Sequence, residues 1–377
     1  MSADFFEGVK PWSYYKHEIL KKYLRVWANK LGRYHRDLYF VDTHAGAGAY
    51  DTGEPGSPLL ALQLNDDAGI RRSGARITVV ACEADETNYQ KLRTSLRPWL
   101  AGNAPRAITL QGTFAIYLET IVEFTWAQPT LYFLDSFGMA DLSLDALFPI
   151  LEARERRKEI VLRLDHTMFA RWAGWLEERP RSERATRTAA RFAKLVEEFR
   201  VDSIGAKSLK SEGHPDASHA LMRGYVEAFM ERFTWVNLIP IRASFDGAPR
   251  YYLLHATDSD HGCALMNDVV STTRDQLFQR TEESKRTGSS QGDFFAPADL
   301  PTPGTSSPLA LDRCIQRILS EAGPQQWITV RAELSATLGP EFRDKHHKAS
   351  LRRLMNDARV TCASGALITD ASVLALP

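Results

Sequence analysis

A short glycine-containing segment, D-T-H-A-G-A-G at residues 42–48, carries the clearest chemical signal of the chain and directly follows an apolar run. Glycine allows backbone conformations, and a close approach of a ligand, that a Cβ would block. In sheets of the dinucleotide-binding type, the loop after the first strand is where the ligand docks. Asp42, Ala45, Gly46 and Gly48 are therefore candidate contacts for a ribose-containing ligand, although ordinary turns use the same residue types.

Acidic residues follow the next apolar run, I-T-V-V-A-C, and include Glu83 and Asp85. A carboxylate at the end of the second strand can accept hydrogen bonds from both ribose hydroxyls. We favour Glu83 for this role, with Asp85 second because it falls two positions later. Either acid could instead cap the following helix. Thr113, after the third strand, is a candidate contact for an adenine ring, and a helix N-cap is its alternative role.

The fourth apolar run ends in L-Y-F-L-D-S-F-G, which places Asp135 and Phe137 at the same edge of the sheet as the glycine segment. Asp135 could accept or orient a proton of a reacting group, and Phe137 could stack on a flat substrate. The alternatives are an aspartate that caps the next turn and a phenylalanine that packs in the core. We expect these two residues to be the catalytic pair.

Strand and helix patterns alternate along the first part of the chain. Strands are predicted at residues 38–41, 77–82, 107–110, 130–134, 160–164, 236–242 and 251–257, with amphipathic helices between the first five. This alternation predicts an α/β fold with a doubly wound, Rossmann-like parallel sheet. A helical insertion is expected at about residues 170–232, inside a domain of residues 1–280.

The C-terminal part has a different pattern. Residues 281–308 are rich in Gly, Ser and Pro and are expected to be a linker. Helices at 309–322, 329–338 and 346–357, followed by a hairpin at 360–369, predict a winged helix-turn-helix domain over residues 309–377. A basic cluster near its third helix is the expected contact with DNA or RNA, although such charges are often only solvated and winged helices also dock proteins: Arg343, Lys345, His347, Lys348 and Arg352.

Composition excludes several classes of protein. The chain has 47 basic and 47 acidic residues, so any affinity for a polyanion must come from a local patch. Its four cysteines are scattered, which argues against a metal cluster, and no metal site is expected. No apolar run approaches membrane-spanning length, and Met1 to Lys10 lacks the apolar core of a leader peptide. We therefore expect a cytoplasmic protein that does not contact a membrane.

Two family resemblances rest on these motifs. Residues 39–51, Y-F-V-D-T-H-A-G-A-G-A-Y-D, resemble the cofactor motif of the large-subunit ribosomal RNA adenine-N6 methyltransferases. Over most of the chain, the order W-S-Y-Y-K-H-E-I-L-K-K-Y-L, D-T-H-A-G-A-G, G-S-P-L-L-A-L, D-S-F-G and Y-Y-L-L-H-A-T resembles the three-Cys-motif partner family of methyltransferases. Both resemblances imply a class I methyltransferase fold and S-adenosylmethionine as cofactor.

The second resemblance also implies residue roles. It suggests that the following residues contact the cofactor: Lys16, His17, Asp42, His44, Gly46, Gly48, Ser57 and Glu83. It places Asp135 at the transferred methyl group. Adenine-N6 enzymes have D-P-P-Y or D-P-P-F at this position, and the partner family has D-P-F-G, whereas this chain has Ser136 after Asp135. Lys16 and His17 have a solvated helix face as their alternative.

Taken together, the sequence predicts an S-adenosylmethionine-dependent methyltransferase that acts on a base of DNA or RNA. The missing prolines argue against adenine as the acceptor, because they hold the backbone carbonyl that would bind its amine. The alternatives are a cofactor-binding or regulatory protein that acts with a partner protein and has little catalysis, and a methyltransferase of a small molecule or protein.

Overall fold

The computed structural model describes residues 11–101, 105–136, 144–153, 157–165, 225–242, 249–286, 308–365 and 367–377. Two compact units are present. The first, here called the sheet unit, comprises Leu24–Thr234 and Pro249–Leu254. The second, here called the C-terminal unit, comprises Met1–Tyr23, Trp235–Ala248 and His255–Pro377.

A seven-stranded, mostly parallel sheet organises the first part of the chain, as predicted. Its strands are β1 Asp37–Asp42, β2 Arg76–Glu83, β3 Ala107–Gln111, β4 Thr130–Leu134, β5 Lys158–Leu164, β6 Trp235–Arg242 and β7 Pro249–Thr257. The strand order is β3-β2-β1-β4-β5-β7-β6, and the pairs among β1 to β5 are parallel. Every residue of β4 is buried, which is typical of a parallel strand covered on both faces.

Helices precede, connect and follow these strands. They are α1 Pro11–Leu31, α2 Ser57–Gln63, α3 Ala68–Ser73, α4 Glu86–Leu100, α5 Phe114–Phe124, α6 Leu144–Glu152 and α7 Asp260–Arg286. Local signals set their ends: Asp85 caps α4 through the backbone of Asn88, and Gly74 ends α3 in a left-handed conformation. The order of strands reverses between β1 and β4, so the carboxyl ends of these two strands flank the crevice where ligands of α/β sheets bind.

The C-terminal unit contains three further helices, α8 Pro308–Ala322, α9 Trp327–Leu338 and α10 Asp344–Asn356. Short strands β8 Gln325–Gln326, β9 Thr361–Cys362 and β10 Val373–Ala375 form a small antiparallel sheet in the order β8-β10-β9. The core between these elements is apolar and includes Ile315, Trp327 and Leu351. The assignment of this region as a winged helix stays a proposal.

Four predictions concern the organisation of the chain. The linker does not begin at residue 281, because α7 continues to Arg286 and α8 starts at Pro308. The expected hairpin at 360–369 is wrong in extent, since β9 pairs with β10 at Val373–Ala375 across a longer loop. Most of the predicted insertion at 170–232 lies outside the described residues. Of its described part, residues 225–230 are helical. The compact units do not follow the 1–280 and 309–377 boundaries, which stay a sequence-based proposal.

Candidate functional site

The glycine segment forms a tight loop at the carboxyl end of β1. Gly46 and Gly48 have φ values of +59° and +77°, which residues with a Cβ rarely adopt. A Cβ on Gly48 would lie 3.0 Å from Leu92 of α4, so this glycine allows helix and loop to pack. A Cβ on Gly46 would meet no atom within 4 Å. The backbone of Gly46 therefore faces open space that a ligand can enter.

Glu83, at the end of β2, holds the glycine loop. Its Oε2 accepts a 2.8 Å hydrogen bond from the backbone N–H of Gly46, and its Oε1 accepts one of 2.8 Å from Asp85. The backbone N–H of Gly112, after β3, donates to the carbonyl of Glu83 at 2.9 Å. The loops after β1, β2 and β3 therefore meet at Glu83. Asp85 instead caps α4, which separates the two candidate acids by role.

Asp42 lies fully buried at the end of β1. The Ser57 hydroxyl donates to its Oδ2 at 2.5 Å, and the backbone N–H of His44 donates to its Oδ1 at 3.2 Å. Burial raises the pKa of Asp42 to about 6, and the neighbouring Asp135 carboxylate adds to this effect against the hydrogen bonds. Asp42 thus has the means to change its charge near neutral pH.

Asp135 follows β4, next to the end of β1. Because Asp42 is in register with Phe133, Asp135 lies just beyond the level of Asp42. The guanidinium of Arg163, at the end of β5, approaches Asp135 Oδ1 at 3.6 Å, and the side chains are only 13% and 14% exposed. Arg163 also lies 4.7 Å from the ring centre of the buried Tyr251. Asp135 is therefore paired with a largely buried arginine, which itself lies against a buried aromatic ring.

Two tyrosines near Asp135 carry neutral hydroxyl groups. Burial raises the pKa of Tyr50 to about 12, with the charges of Asp135 and Glu54 adding to it. Burial also raises the pKa of Tyr251, and Asp135 contributes in the same direction. Both hydroxyls stay protonated at neutral pH and can donate hydrogen bonds. The sequence motifs gave no role to Tyr50, Arg163 or Tyr251, although the position of Arg163 at the end of β5 and that of Tyr50 after the glycine loop were available signals.

The remaining predicted site residues are spread over both units. Ser57 is buried and Ala45 donates its N–H to the carbonyl of Cys82 at 2.9 Å, so both belong to the loop structure. Thr113 is exposed and occupies the N-cap position of α5 without a side-chain capping bond. Lys16 and His17 lie in α1 in the C-terminal unit, where Lys16 is buried. Their role at the cofactor stays a prediction. Phe137 lies outside the described residues.

The predicted nucleic-acid contacts on α10 need a correction. His347 is 1% exposed and cannot reach a phosphate, because its side chain packs inward from the helix. Arg343 pairs with Asp275 of α7 at 3.0 Å, and Lys348 pairs with Asp344 at 2.8 Å. Lys345 and Arg352 are exposed. The basic cluster is thus partly used inside the C-terminal unit, and two of its members remain on the surface.

Metal ligation and membrane insertion find no support in the described part of the chain. Among those residues, no three His, Cys, Asp or Glu side chains are grouped as metal ligands. None of the described helices combines the length and apolar character needed to cross a bilayer.

Comparisons with known proteins give weak similarities. No family model matches the chain, and no curated protein sequence does. Protein LPL1258 of Legionella pneumophila matches at 9% identity and a TM-score of 0.34, over 64% of this chain and 85% of that one. An O-methyltransferase from Bacillus cereus, solved with SAH, matches at 14% identity and a TM-score of 0.28, over 63% and 80%. A geranyl diphosphate methyltransferase solved with SAM matches at 13% identity and a TM-score of 0.24, over 63% of this chain and 85% of that one. Such values do not assign a function.

Proposed function

We propose that this chain is an S-adenosylmethionine-dependent methyltransferase. The observation that carries the proposal is the loop at the switch point of the sheet, where Gly46 faces open space and Glu83 holds its N–H. In sheets of this type, ligands bind at the carboxyl ends of the strands where the strand order reverses. The glycine loop also resembles the cofactor motif of methyltransferases, which supports the choice of cofactor.

The residues at this edge suit the chemistry of the cofactor. The space beside Gly46 is a cradle that a side chain would fill. Each oxygen of Glu83 accepts one backbone hydrogen bond and retains capacity for another, so the carboxylate can accept from ribose hydroxyls. Asp42, Glu83 and Asp135 supply negative charge, which favours the ammonium and sulfonium cations of the cofactor. When bound, S-adenosylmethionine supplies an activated methyl group that a nucleophile can take by in-line displacement.

The protein's own task is to orient the acceptor and receive its proton. Asp135 is the candidate proton acceptor, because its carboxylate lies beside the loop and is only 14% exposed. Arg163 holds that carboxylate in place, and the hydroxyls of Tyr50 and Tyr251 can orient the acceptor by hydrogen bonds. The carboxylates around this position disfavour an anionic acceptor. A neutral amine or hydroxyl group fits the site best.

A nucleobase is our first candidate for the acceptor. Its amine is neutral, as the surroundings of Asp135 require. Separately, the C-terminal unit exposes Lys345 and Arg352, which are candidate contacts for phosphate groups. Ser136 is buried and takes the place of the first proline of D-P-P-Y, so the acceptor geometry differs from that of the adenine-N6 enzymes. Adenine is therefore disfavoured, and a cytosine or guanine base is the better candidate.

A screen for methyl transfer tests the proposal. Tritiated S-adenosylmethionine is incubated with the wild-type chain and DNA, RNA, protein extract or small-molecule extract. The Asp135→Asn variant is the control, and we expect it to lose transfer while it retains cofactor binding. Transfer that survives in Asp135→Asn contradicts the role of Asp135. Tight cofactor binding with no transfer to any fraction favours a cofactor-binding regulatory protein instead.

A further inference from the structure

The amino-terminal edge of the sheet, opposite the glycine loop, carries a row of arginines. Arg36 directly precedes β1, Arg76 begins β2, Arg106 directly precedes β3 and Arg157 directly precedes β5. The strand order β3-β2-β1-β4-β5 brings these positions side by side along one edge. Neighbouring strands are about 4.8 Å apart, so the row from β3 to β5 is roughly 19 Å long. We call these four residues the arginine row.

Backbone hydrogen bonds fix the positions within the row. The N–H of Arg76 donates to the carbonyl of Arg36 at 2.7 Å, which ties β2 to the residue before β1. The carbonyl of Arg106 accepts from Val79 at 2.8 Å, and that of Arg157 accepts from Thr130 at 3.2 Å. The backbone positions of the row are therefore set by the sheet, at roughly the spacing of its strands.

Arg106 lies close enough to two other members of the row to interact with their charges, and Arg157 contacts the ring of His35. The pKa of Arg106 is lowered by burial first and by the charges of Arg76 and Arg36 as well, while Asp37 counteracts this in part. Among the described residues, no carboxylate lies within salt-bridge distance of the Arg36, Arg76 or Arg106 side chain. An array of like charges without close counterions has a favourable use when it binds a polyanion.

Aromatic side chains accompany the row. Tyr34, two residues before Arg36, is 82% exposed. Phe124 is 54% exposed and packs edge-on against Tyr39 with 5.4 Å between ring centres. The charge of Arg106 in turn acts on the hydroxyl of Tyr39, which places this ring near the row. Guanidinium groups for phosphates, together with exposed rings for stacked bases, are the combination that binds single-stranded nucleic acid.

We propose that the arginine row, with Tyr34 and Phe124, is a binding surface for the phosphate backbone of single-stranded nucleic acid. On a chain whose net charge is zero, the amino edge carries the four arginines, offset in part by Asp37. The far edge carries Asp42, Glu83 and Asp135, offset in part by Arg163. A polyanion therefore has one preferred edge. This surface is separate from the cofactor loop, so the proposal stands whether or not the chain transfers methyl groups.

Fluorescence anisotropy with a labelled oligothymidine tests the proposal. The wild-type chain is compared with Arg36→Gln/Arg76→Gln/Arg106→Gln and with a control that loses the same charge at exposed positions elsewhere, Lys21→Gln/Lys91→Gln/Arg93→Gln. Each phosphate contact contributes about 0.7 to the slope of log affinity against log salt for single strands. We expect the row variant to lose roughly tenfold or more in affinity and about two in slope. The control should bind as the wild type does.

Three results would overturn the proposal. They are a wild-type chain that does not bind oligothymidine, equal loss in the row variant and the control, and binding to vesicles of anionic phospholipid without binding to the oligonucleotide. Thermal melting checks that the row variant folds. If it does not, the single charge reversal Arg36→Glu at an exposed loop position replaces it, and unchanged oligothymidine affinity in that variant counts against the proposal.

Discussion

The carboxylate of Glu83 accepts a 2.8 Å hydrogen bond from the backbone N–H of Gly46, so the end of β2 holds the loop that follows β1. Gly46 adopts a left-handed conformation there, and nothing lies within 4 Å of where its Cβ would be. The same carboxylate accepts from Asp85, which in turn caps α4. One acid thus shapes the candidate cofactor loop, and its neighbour serves the helix.

This division of roles predicts different effects for the two acids. Glu83→Gln keeps one oxygen but loses the charge and one acceptor. We therefore expect the affinity for S-adenosylhomocysteine to fall by roughly tenfold, which corresponds to a loss of about 1.5 kcal/mol of binding free energy. Asp85→Ala removes a helix cap and should lower the free energy of unfolding by about 1 kcal/mol with affinity unchanged. Calorimetry and denaturant unfolding separate the two. Loss of affinity in Asp85→Ala with none in Glu83→Gln would reverse our assignment.

The buried Asp42 predicts a pH-dependent stability. Its pKa in the folded chain is raised to about 6, so the protonated form favours folding. The associated stability is fully present below the pKa of an unfolded aspartate and is lost as the pH rises through about 6. The free energy of unfolding of Asp42→Asn, taken relative to that of the wild type, should rise by up to about 3 kcal/mol from pH 4 to pH 8. Parallel pH profiles of the free energy of unfolding for the two proteins would mean that the ionisation of Asp42 does not cause this pH dependence.

The same ionisation should govern cofactor affinity. As the pH rises through about 6, Asp42 becomes charged and attracts the ammonium group of S-adenosylhomocysteine. We expect the affinity of the wild-type chain to increase from pH 5 to pH 7 and that of Asp42→Asn to stay flat over this interval. Titrations at three pH values in one salt concentration test this. An affinity that falls over the same interval would show that Asp42 does not face the cofactor cation.

Arg163 is expected to act as a positioning residue through Asp135. Arg163→Met removes the guanidinium at 3.6 Å from the carboxylate but leaves the cofactor loop intact. With the acceptor found by the methyl-transfer screen, kcat should fall by roughly tenfold to a hundredfold, and S-adenosylhomocysteine affinity should not change. Arg163→Lys should restore part of the rate. The exposed Arg93→Met is the control for loss of charge, and a similar fall in rate there would contradict the role of Arg163.

His347 predicts acid sensitivity in the C-terminal unit. Burial lowers its pKa to about 3, and the charge of Arg331 acts in the same direction. Neither ring nitrogen has a hydrogen-bond partner among the described residues. The unfolded chain binds a proton below pH 6.5 and the folded chain does not, so stability falls as the pH drops from 6.5 toward 3, by about 1.4 kcal/mol per pH unit. His347→Leu should remove this slope in melting experiments, and an unchanged slope would refute the assignment.

Much of the fold was predictable, because it rests on local patterns. The apolar run of β4 and the alternation of strands and helices predicted the sheet. Capping was only the alternative role of Glu83 and Asp85, and the structure gives it to Asp85. The junction near residue 281 was not predictable, because the polar residues 281–286, T-E-E-S-K-R, lack an apolar pattern and directly precede the Gly- and Ser-rich stretch, although α7 continues to Arg286.

The site was predictable only where strand ends carry motifs. Asp42, Glu83 and Asp135 follow directly from the rule that strand ends meet at one edge. Arg163 and Tyr251 come from β5 and β7, and their neighbourhood with Asp135 depends on the order of strands in space, which the sequence does not state. His347 shows the opposite error. A basic run on a helix includes residues of both faces, and only the register of α10 against its neighbours reveals which of them are buried.

The measurement that tests the central claim most directly is a calorimetric titration of S-adenosylhomocysteine into wild type, Gly46→Trp and Gly74→Trp. Gly74 also has a positive φ, +73°, with open space around it, so it controls for backbone strain away from the loop. We predict binding to the wild type and Gly74→Trp, and no measurable binding to Gly46→Trp. A wild-type chain that does not bind, or a Gly46→Trp variant that binds as tightly as Gly74→Trp, would contradict the methyltransferase account.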